Sequence, residues 1–182
     1  MTERGIILDA CSLINFYASE FFDSILSSFK NQCCIVDQVN DESLFIRNPT
    51  DLPSKYYYKP IELQDSIQPG KLKLIKLETE TEKKVFIKLA QRLDDGEAAT
   101  IALAIEREMK VVTDDKKAIQ IFCEEVPNIE ILTTLDVMKF WYESSSINDE
   151  DVKLALANIR VYANYLPSRN HHLFQWWSSR LM

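Results

Sequence analysis

The stretch of residues 93–117 constrains the fold most, because it joins two acidic turns through one helix and one short strand. Its helical part, residues 98–105, consists of alanine, isoleucine and leucine apart from one threonine, which predicts close packing. Residues 110–112 then predict a short strand. The turns at 94–96 and 113–115 should therefore lie at the same edge of a sheet.

Strand-then-helix units recur along the rest of the chain. Short apolar strands are predicted at residues 5–8, 33–36, 71–77, 110–112 and 129–132. The pattern breaks at about residues 47–70, where four prolines and three consecutive tyrosines predict an irregular insertion. A long helix is predicted over residues 146–166, ended by Pro167. This alternation predicts an α/β fold with a mainly parallel sheet and helices on both faces.

Charge and composition limit the function classes. A formal net charge of −7 excludes a broad basic surface for nucleic acid, so any such contact must be a local patch. The N-terminal apolar run is too short for a signal peptide or a membrane span, which predicts a cytoplasmic protein with no membrane contact. The four cysteines form no CxxC pair, so we expect no zinc site. His171 and His172 are expected to be incidental surface residues without an acidic partner.

Acidic residues follow the predicted strands, at the edge where such sheets bind ligands. Asp9 follows the first strand, and Asp114 and Asp115 follow the fourth. Each acid also has a purely structural explanation, since aspartate at a strand exit often caps the next helix. Asp94 and Glu97 have the spacing of a capping box, which alone would account for both.

Glu42 is the most informative single acid. A helix capped by Asp37 is predicted to carry Val39, Phe45 and Ile46 on its apolar face, and Glu42 falls on that same face. A carboxylate on a core-facing stripe is costly unless it is paired or bound to metal. Together with the other acids, Glu42 favours a shared metal site.

Clustered carboxylates repel one another, which raises their pKa values unless divalent cations neutralise them. Ligand sets made only of oxygen favour Mg²⁺ or Mn²⁺ over zinc. Such ions can hold a phosphodiester and activate a water molecule for attack on it. No histidine or cysteine is placed to supply a nucleophile.

These motifs, in this order, resemble those of PIN-domain ribonucleases, the group that includes VapC-type toxins of bacterial toxin–antitoxin pairs. The matching segments are ILDACSLINFY, the helix segment 39–42, DDGEAATIALA and VVTDD, and they cover about residues 5–134. The resemblance implies a PIN-like, Rossmann-like three-layer fold. It also implies dependence on Mg²⁺ or Mn²⁺ and endonucleolytic cleavage of RNA.

The resemblance further implies the site residues. The four catalytic and metal-binding acids would be Asp9, Glu42, Glu97 and Asp115. Asp114 would be a further metal ligand and Thr113 a supporting hydroxyl. Cys11 departs from the family, which commonly has Asn or Ser at this position, so the support around the ligands is in question.

The residues and the resemblance together indicate candidate partners and domain limits. Candidate RNA contacts are Lys55, Tyr57, Lys116 and Lys117, although the tyrosines of the insertion could instead pack on the domain. An antitoxin protein and a homodimer are partners that the resemblance implies. We expect a PIN-like domain at 1–143 and a helical extension at 144–182. The terminal segment, with Trp176 and Trp177, is predicted to close the core, with a partner-binding surface as the alternative.

Two other function classes remain open. A non-catalytic PIN-like module would use the acids only as helix caps and would bind a partner. A small-molecule phosphatase is the second alternative. Against it, the chain has no glycine-rich phosphate loop, and Cys11 stands where a haloacid-dehalogenase-type phosphatase would have a second aspartate.

Overall fold

The computed structural model describes residues 5–42, 44–49, 56–67, 69–126 and 130–181. Its elements, in chain order, are β1 Ile6–Leu8, α1 Ala10–Ala18, α2 Phe22–Ser28, β2 Cys33–Val36, α3 Asp37–Asp41, β3 Phe45–Pro49, β4 Tyr56–Pro60, α4 Gln64–Ile67, β5 Leu72–Ile75, α5 Glu80–Leu89, α6 Asp95–Glu106, β6 Lys110–Val112, α7 Lys116–Glu125, β7 Ile131–Leu132, α8 Thr134–Ser144, α9 Asp149–Tyr162 and α10 Phe174–Leu181.

A five-stranded sheet in the order β5-β2-β1-β6-β7 forms the centre, and all its neighbouring strands are parallel. The central strand β1 is buried along its whole length, which explains why its sequence shows no polar alternation. Leu8 lies opposite Val112 in the register of β1 and β6. The residues that follow these two strands therefore meet at one edge of the sheet, as predicted.

The two faces of the sheet carry different cores. On one face, α1, α2, α8, α9 and α10 enclose large side chains such as Phe16, Trp141 and Trp177. On the other face, α6 packs closely through Ala98, Ala102 and neighbouring small residues. The predicted three-layer α/β fold is confirmed.

The prediction of an irregular insertion at 47–70 is wrong for much of that segment. Strands β3 and β4 form an antiparallel hairpin that pairs Arg47 with Tyr58 and Asn48 with Tyr57. The prolines of the hairpin lie at the ends of the strands, Pro49 in β3 and Pro60 in β4, where they do not interrupt the ladder. Consecutive tyrosines, which favour strands, form the first three residues of β4.

The helix predicted to carry Glu42 is also shorter than expected. Helix α3 starts at Asp37, with Val36 rather than Asp37 as its N-cap, and it ends at Asp41. Glu42 has extended backbone angles (φ −69°, ψ 142°), and Phe45 already belongs to β3. Glu42 is therefore exposed at a helix terminus and does not lie on an apolar helical stripe.

The C-terminal region differs from its prediction in length. Helix α9 begins after the N-cap Asn148, whose side chain accepts a hydrogen bond from the Asp151 N–H at 2.8 Å. It ends before Asn164, which has φ 56°, a left-handed conformation that stops the helix ahead of Pro167. The prediction that the terminal segment closes the core is confirmed, because Trp177 of α10 is only 4% exposed. The division of the chain at residue 143 stays a prediction.

No helix in the described parts of the chain is both long and apolar enough to cross a membrane.

Candidate active site

Asp9 lies directly after β1 and caps α1. Its Oδ1 accepts a hydrogen bond from the Ser12 N–H at 2.9 Å, and the Cys11 thiol donates to both carboxylate oxygens at 3.1 and 3.2 Å. The side chain is only 4% exposed, and this burial raises its pKa. Asp9 is thus held in one orientation, with its charge poorly compensated.

Thr113 connects Asp9 to the acid after β6. Its buried side chain hydrogen-bonds Asp9, and its hydroxyl accepts the Asp115 N–H at 3.1 Å. Asp115 in turn caps α7 by accepting the Ala118 N–H at 2.8 Å. The Thr113 hydroxyl therefore contacts both Asp9 and Asp115, the residues predicted as the first and the last acid of the site.

Asp114 faces a different environment from its neighbour. Its carboxylate accepts hydrogen bonds from the Thr134 hydroxyl and N–H, from Tyr165 Oη at 3.1 Å and from Asn15 Nδ2 at 3.3 Å. Its own N–H donates to the Cys11 sulfur at 3.4 Å. Burial is the main cause of its raised pKa, and the hydrogen bonds from Thr134 and Tyr165 oppose the rise.

Cys11 therefore supports the site through its sulfur. The thiol donates to Asp9 and accepts from the backbone of Asp114, which bridges the residues after β1 and β6. Burial and the negative charge of Asp9 raise the pKa of this thiol, so it stays protonated and keeps donating. The departure from the family at this position leaves the support for Asp9 in place.

Glu97 lies in the first turn of α6, beside the cap Asp94. The Asp94 carboxylate accepts the Glu97 N–H at 2.8 Å. Among the described residues the Asp94 N–H makes no return bond to the Glu97 carboxylate, so the capping box predicted here is only half formed. The Glu97 carboxylate is consequently not needed for capping.

Glu42 reaches the same turn of α6 from the end of α3. A side chain at Gly96 would collide with Glu42 Oε1 and would lie 3.2 Å from Val39 Cγ2, so this glycine provides the room for the carboxylate. Glu42 also lines an open cleft of about 530 Å³ together with Asp94 and Asp95.

The pKa shifts show that these acids act on one another. Burial, followed by the negative charges of Asp94, Asp115 and Asp9, raises the pKa of Glu97 to about 7. Although the residue as a whole is exposed, partial burial of its carboxyl group, followed by the charges of Asp94 and Asp9, likewise raises the pKa of Glu42. The charges that raise these two pKa values belong to neighbouring acids, so the carboxylates repel one another.

This set of donors fits a hard divalent cation. All its ligand atoms are carboxylate oxygens, which suit Mg²⁺ or Mn²⁺. Within the described residues, no three of these carboxylates approach to within 4.8 Å of one another. A hydrated ion such as Mg²⁺ keeps several water ligands and is commonly held by one or two carboxylates, so a wider spacing is compatible with it.

A second group, Asp136, His171 and His172, does bring its ligand atoms within 4.8 Å. His172 Nε2 lies 2.9 Å from Asp136 Oδ1, so the expectation that these histidines lack an acidic partner is wrong. His171 Nδ1 accepts the Leu173 N–H at 3.1 Å, and His171 Nε2 lies 2.9 Å from the Thr133 hydroxyl. Because both ring nitrogens of His171 are used, the group fits a hydrogen-bonded clamp on the C-terminal segment better than a metal site.

The candidate RNA contacts are spread over two surfaces. Lys116 and Lys117 are exposed at the start of α7, next to Asp115. Tyr57 is 69% exposed on β4, so the alternative that it packs on the domain is wrong. Lys55 lies outside the described residues.

Some residues around the site were not foreseen. Asp94 was considered only as a cap, although it acts on both Glu97 and Glu42. Asn15 could have been found, because it is a buried polar residue between the core residues Leu13 and Phe16. Tyr165, 51 residues from its acceptor Asp114, leaves no local signal.

Comparison with known families supports this description. A family model described as DUF3368, a PIN domain, matches residues 5–171, which include every acid discussed above. No curated protein and no solved structure matches the chain. PIN domains are generally nucleases that use divalent metal ions. The chain therefore belongs to the PIN-domain family.

Proposed function

We propose that this protein is a metal-dependent endoribonuclease in which Asp9, Glu42, Glu97 and Asp115 hold Mg²⁺ or Mn²⁺. The observation that carries the proposal is the burial of Glu97 close to the negative charges of Asp94, Asp115 and Asp9, which together raise its pKa to about 7. Such an arrangement lowers the stability of the fold unless a cation neutralises it. Family membership supplies the nuclease class.

The reaction is hydrolysis of an RNA phosphodiester, in which water attacks phosphorus and a P–O bond breaks. A bound divalent ion would supply the activated water and stabilise the charge on the leaving oxygen. The chain itself orients the ligands. Ser12, Cys11 and Thr113 fix the Asp9 carboxylate, and Thr113 also fixes the backbone of Asp115.

Asp114 has a supporting role in this proposal. Its oxygens already accept bonds from Asn15, Thr134 and Tyr165, so it anchors the loop after β6 and can reach a metal only as an additional ligand. Lys116 and Lys117, exposed beside Asp115, would contact phosphate groups of the substrate. A toxin role with an antitoxin partner, a homodimeric state and a cytoplasmic location stay predictions from the sequence.

Cleavage of a labelled single-stranded RNA by the purified protein tests the proposal. We expect cleavage with Mg²⁺ or Mn²⁺, none with EDTA and none with Asp9→Asn. Asparagine caps a helix as well as aspartate does, so this variant should fold normally. Glu106→Gln is a matched control, because Glu106 is an exposed acid at the other end of α6, and it should cleave like the parent.

Absence of metal-dependent RNA cleavage would favour one of the two alternative functions, depending on what else is observed. A folded protein that binds RNA but cleaves none with any ion, and whose melting temperature does not respond to divalent ions, would be a binding module. Release of phosphate from small monoesters with RNA left intact would indicate a phosphatase.

A further inference from the structure

The β3–β4 hairpin rises directly from the acidic edge of the sheet. The Leu44 N–H donates to the Glu42 carbonyl at 3.0 Å, and the Ile61 N–H closes the base of the hairpin on the Leu44 carbonyl at 2.9 Å. Glu42 lines a cleft of about 330 Å³ at this base as well as the cleft beside Asp94. A ligand that extends from the hairpin to the other acids would therefore pass Glu42.

Aromatic rings are exposed on both faces of this hairpin. Tyr57 is 69% exposed and Tyr58 is 64% exposed, while Phe45 at the start of β3 is 44% exposed. Successive residues of a strand point to opposite faces, so Tyr58 shares one face with Arg47, and Tyr57 shares the other with Asn48. A two-stranded ribbon is marginally stable alone, but β3 packs on α1 and α9, and these contacts support the hairpin.

The charge of the hairpin is opposite to that of the adjoining site. Its described strands, Phe45–Pro49 and Tyr56–Pro60, contain Arg47 and Lys59 and no acidic residue. The whole protein has a net charge of −7, and the cleft at the base of the hairpin is lined by Glu42 and Glu62. A polyanion that approaches the acids would therefore find cationic groups on these strands in addition to Lys116 and Lys117.

Exposed rings beside cations suit a particular form of nucleic acid. Bases in single strands are free to stack on aromatic side chains, whereas bases in a duplex are already stacked on one another. We propose that the β3–β4 hairpin is the docking surface for a single-stranded segment of the RNA substrate. Its bases stack on Tyr57 and Tyr58, which lie on opposite faces, so the segment passes over the edge of β4 that is not paired with β3, and its phosphates contact Lys59. This inference deepens the proposed ribonuclease function and rests on it for the identity of the substrate.

Binding measured without turnover tests the inference. Fluorescence anisotropy of a labelled single-stranded RNA oligonucleotide would be recorded with Asp9→Asn protein in Mg²⁺. Adding Tyr57→Ala or Tyr58→Ala should weaken binding by about 5-fold to 150-fold, the range expected for loss of one stacked base. Adding Tyr57→Phe or Tyr58→Phe should preserve binding, since the ring remains. Ile87→Ala, a change at a 62%-exposed apolar residue of α5, is the control and should have no effect.

The phosphate contact has its own readout. Lys59→Ala should weaken binding and reduce the slope of log K against log salt concentration by about 0.7, the value for one phosphate contact on a single strand. Lys84→Ala removes an exposed lysine of α5 and should leave the slope unchanged. A duplex of the same sequence should bind more weakly than the single strand and should not respond to the tyrosine variants.

Several results would overturn the inference. These are no binding of single-stranded RNA by the parent, unchanged binding after both alanine substitutions, or a tyrosine variant that alters only the oligomeric state seen by light scattering. If RNA cleavage by the wild-type chain is intact while the tyrosines prove irrelevant, the docking surface is wrong and the ribonuclease proposal stands. RNA binding that depends on the tyrosines, without metal-dependent cleavage, would support the docking surface and contradict the ribonuclease proposal.

Discussion

Asp114 and Glu97 lie at the same edge of the sheet, but their surroundings are opposite. Donors from Asn15, Thr134 and Tyr165 surround the Asp114 carboxylate. Glu97 is partly buried, and the charges that raise its pKa belong to the acids Asp94, Asp115 and Asp9. An acid surrounded by donors is explained by the fold alone. An acid surrounded by acids lowers the stability of the fold, so its presence points to a ligand that the fold does not include.

Substitution of the adjacent acids Asp114 and Asp115 would give the largest contrast. Asp114→Ala leaves donors from Thr134 and Tyr165 without an acceptor, which should lower the free energy of unfolding by about 1–3 kcal/mol. Asp115→Asn keeps its cap on α7, so stability should change little. RNA cleavage by Asp115→Asn should nevertheless fall by more than about 100-fold, because loss of a ligand should exceed the usual effect of losing its support.

Urea unfolding and RNA cleavage, measured on both variants, check this contrast. Tyr165→Phe is the milder companion variant, because it removes a single donor to Asp114 and leaves the ring. An Asp114→Ala protein as stable as the wild type would show that these hydrogen bonds do not anchor the loop.

The pH dependence of stability sharpens the comparison on the Glu97 side. The pKa of Glu97 is raised from 4.5 to about 7 in the folded chain, so ionisation favours the unfolded chain. Without divalent ions, protonated Glu97 contributes to the free energy of unfolding. This contribution is fully present below about pH 4.5, falls as the pH rises, and is lost above about pH 7. Added Mg²⁺ should restore stability mainly at the higher pH, where the carboxylate is ionised.

Thermal melting in EDTA and in Mg²⁺ over this pH range measures the effect. Glu97→Gln should reduce the loss of melting temperature at the higher pH values and the stabilisation by Mg²⁺. Glu106→Gln should change neither quantity. Equal profiles for Glu97→Gln and the wild type would mean that Glu97 ionises normally.

Gly96→Ala should give the smallest effect. The added methyl group meets the Glu42 carboxylate, which can swing away, and Val39 Cγ2 at 3.2 Å. Stability should change by less than about 1 kcal/mol, since alanine also favours the helix. Cleavage should fall several-fold because Glu42 is displaced from the turn of α6. Unchanged cleavage in a kinetic assay would argue against Glu42 as a ligand.

Parts of this molecule could be predicted from sequence because the signals are local. The short, wholly apolar strands β1 and β2 and the acids after β1 and β6 define the sheet and its ligand-binding edge. The hairpin was missed because its prolines were interpreted as breaks, although they end the strands. Helix α3 was extended too far because Phe45 and Ile46 continue a helical period while in fact starting β3.

Whether an acid is surrounded by hydrogen-bond donors or by other acids depends on contacts between residues that are far apart in the sequence. Asp114 meets Tyr165 from beyond α9, and Glu42 meets Gly96 at the start of α6. No spacing in the sequence indicates that one acid of a pair will find donors while its neighbour will not. This distinction required the packed structure.

Direct titration with Mn²⁺, followed by electron paramagnetic resonance, tests the central claim that the acids around Glu97 form the metal site. Wild-type protein, Glu97→Gln, Glu106→Gln and His172→Ala would be compared. The account predicts that the wild type, Glu106→Gln and His172→Ala bind Mn²⁺ alike and that Glu97→Gln binds it much more weakly. Binding that is lost in His172→Ala and kept in Glu97→Gln, or no binding by the wild type, would contradict it.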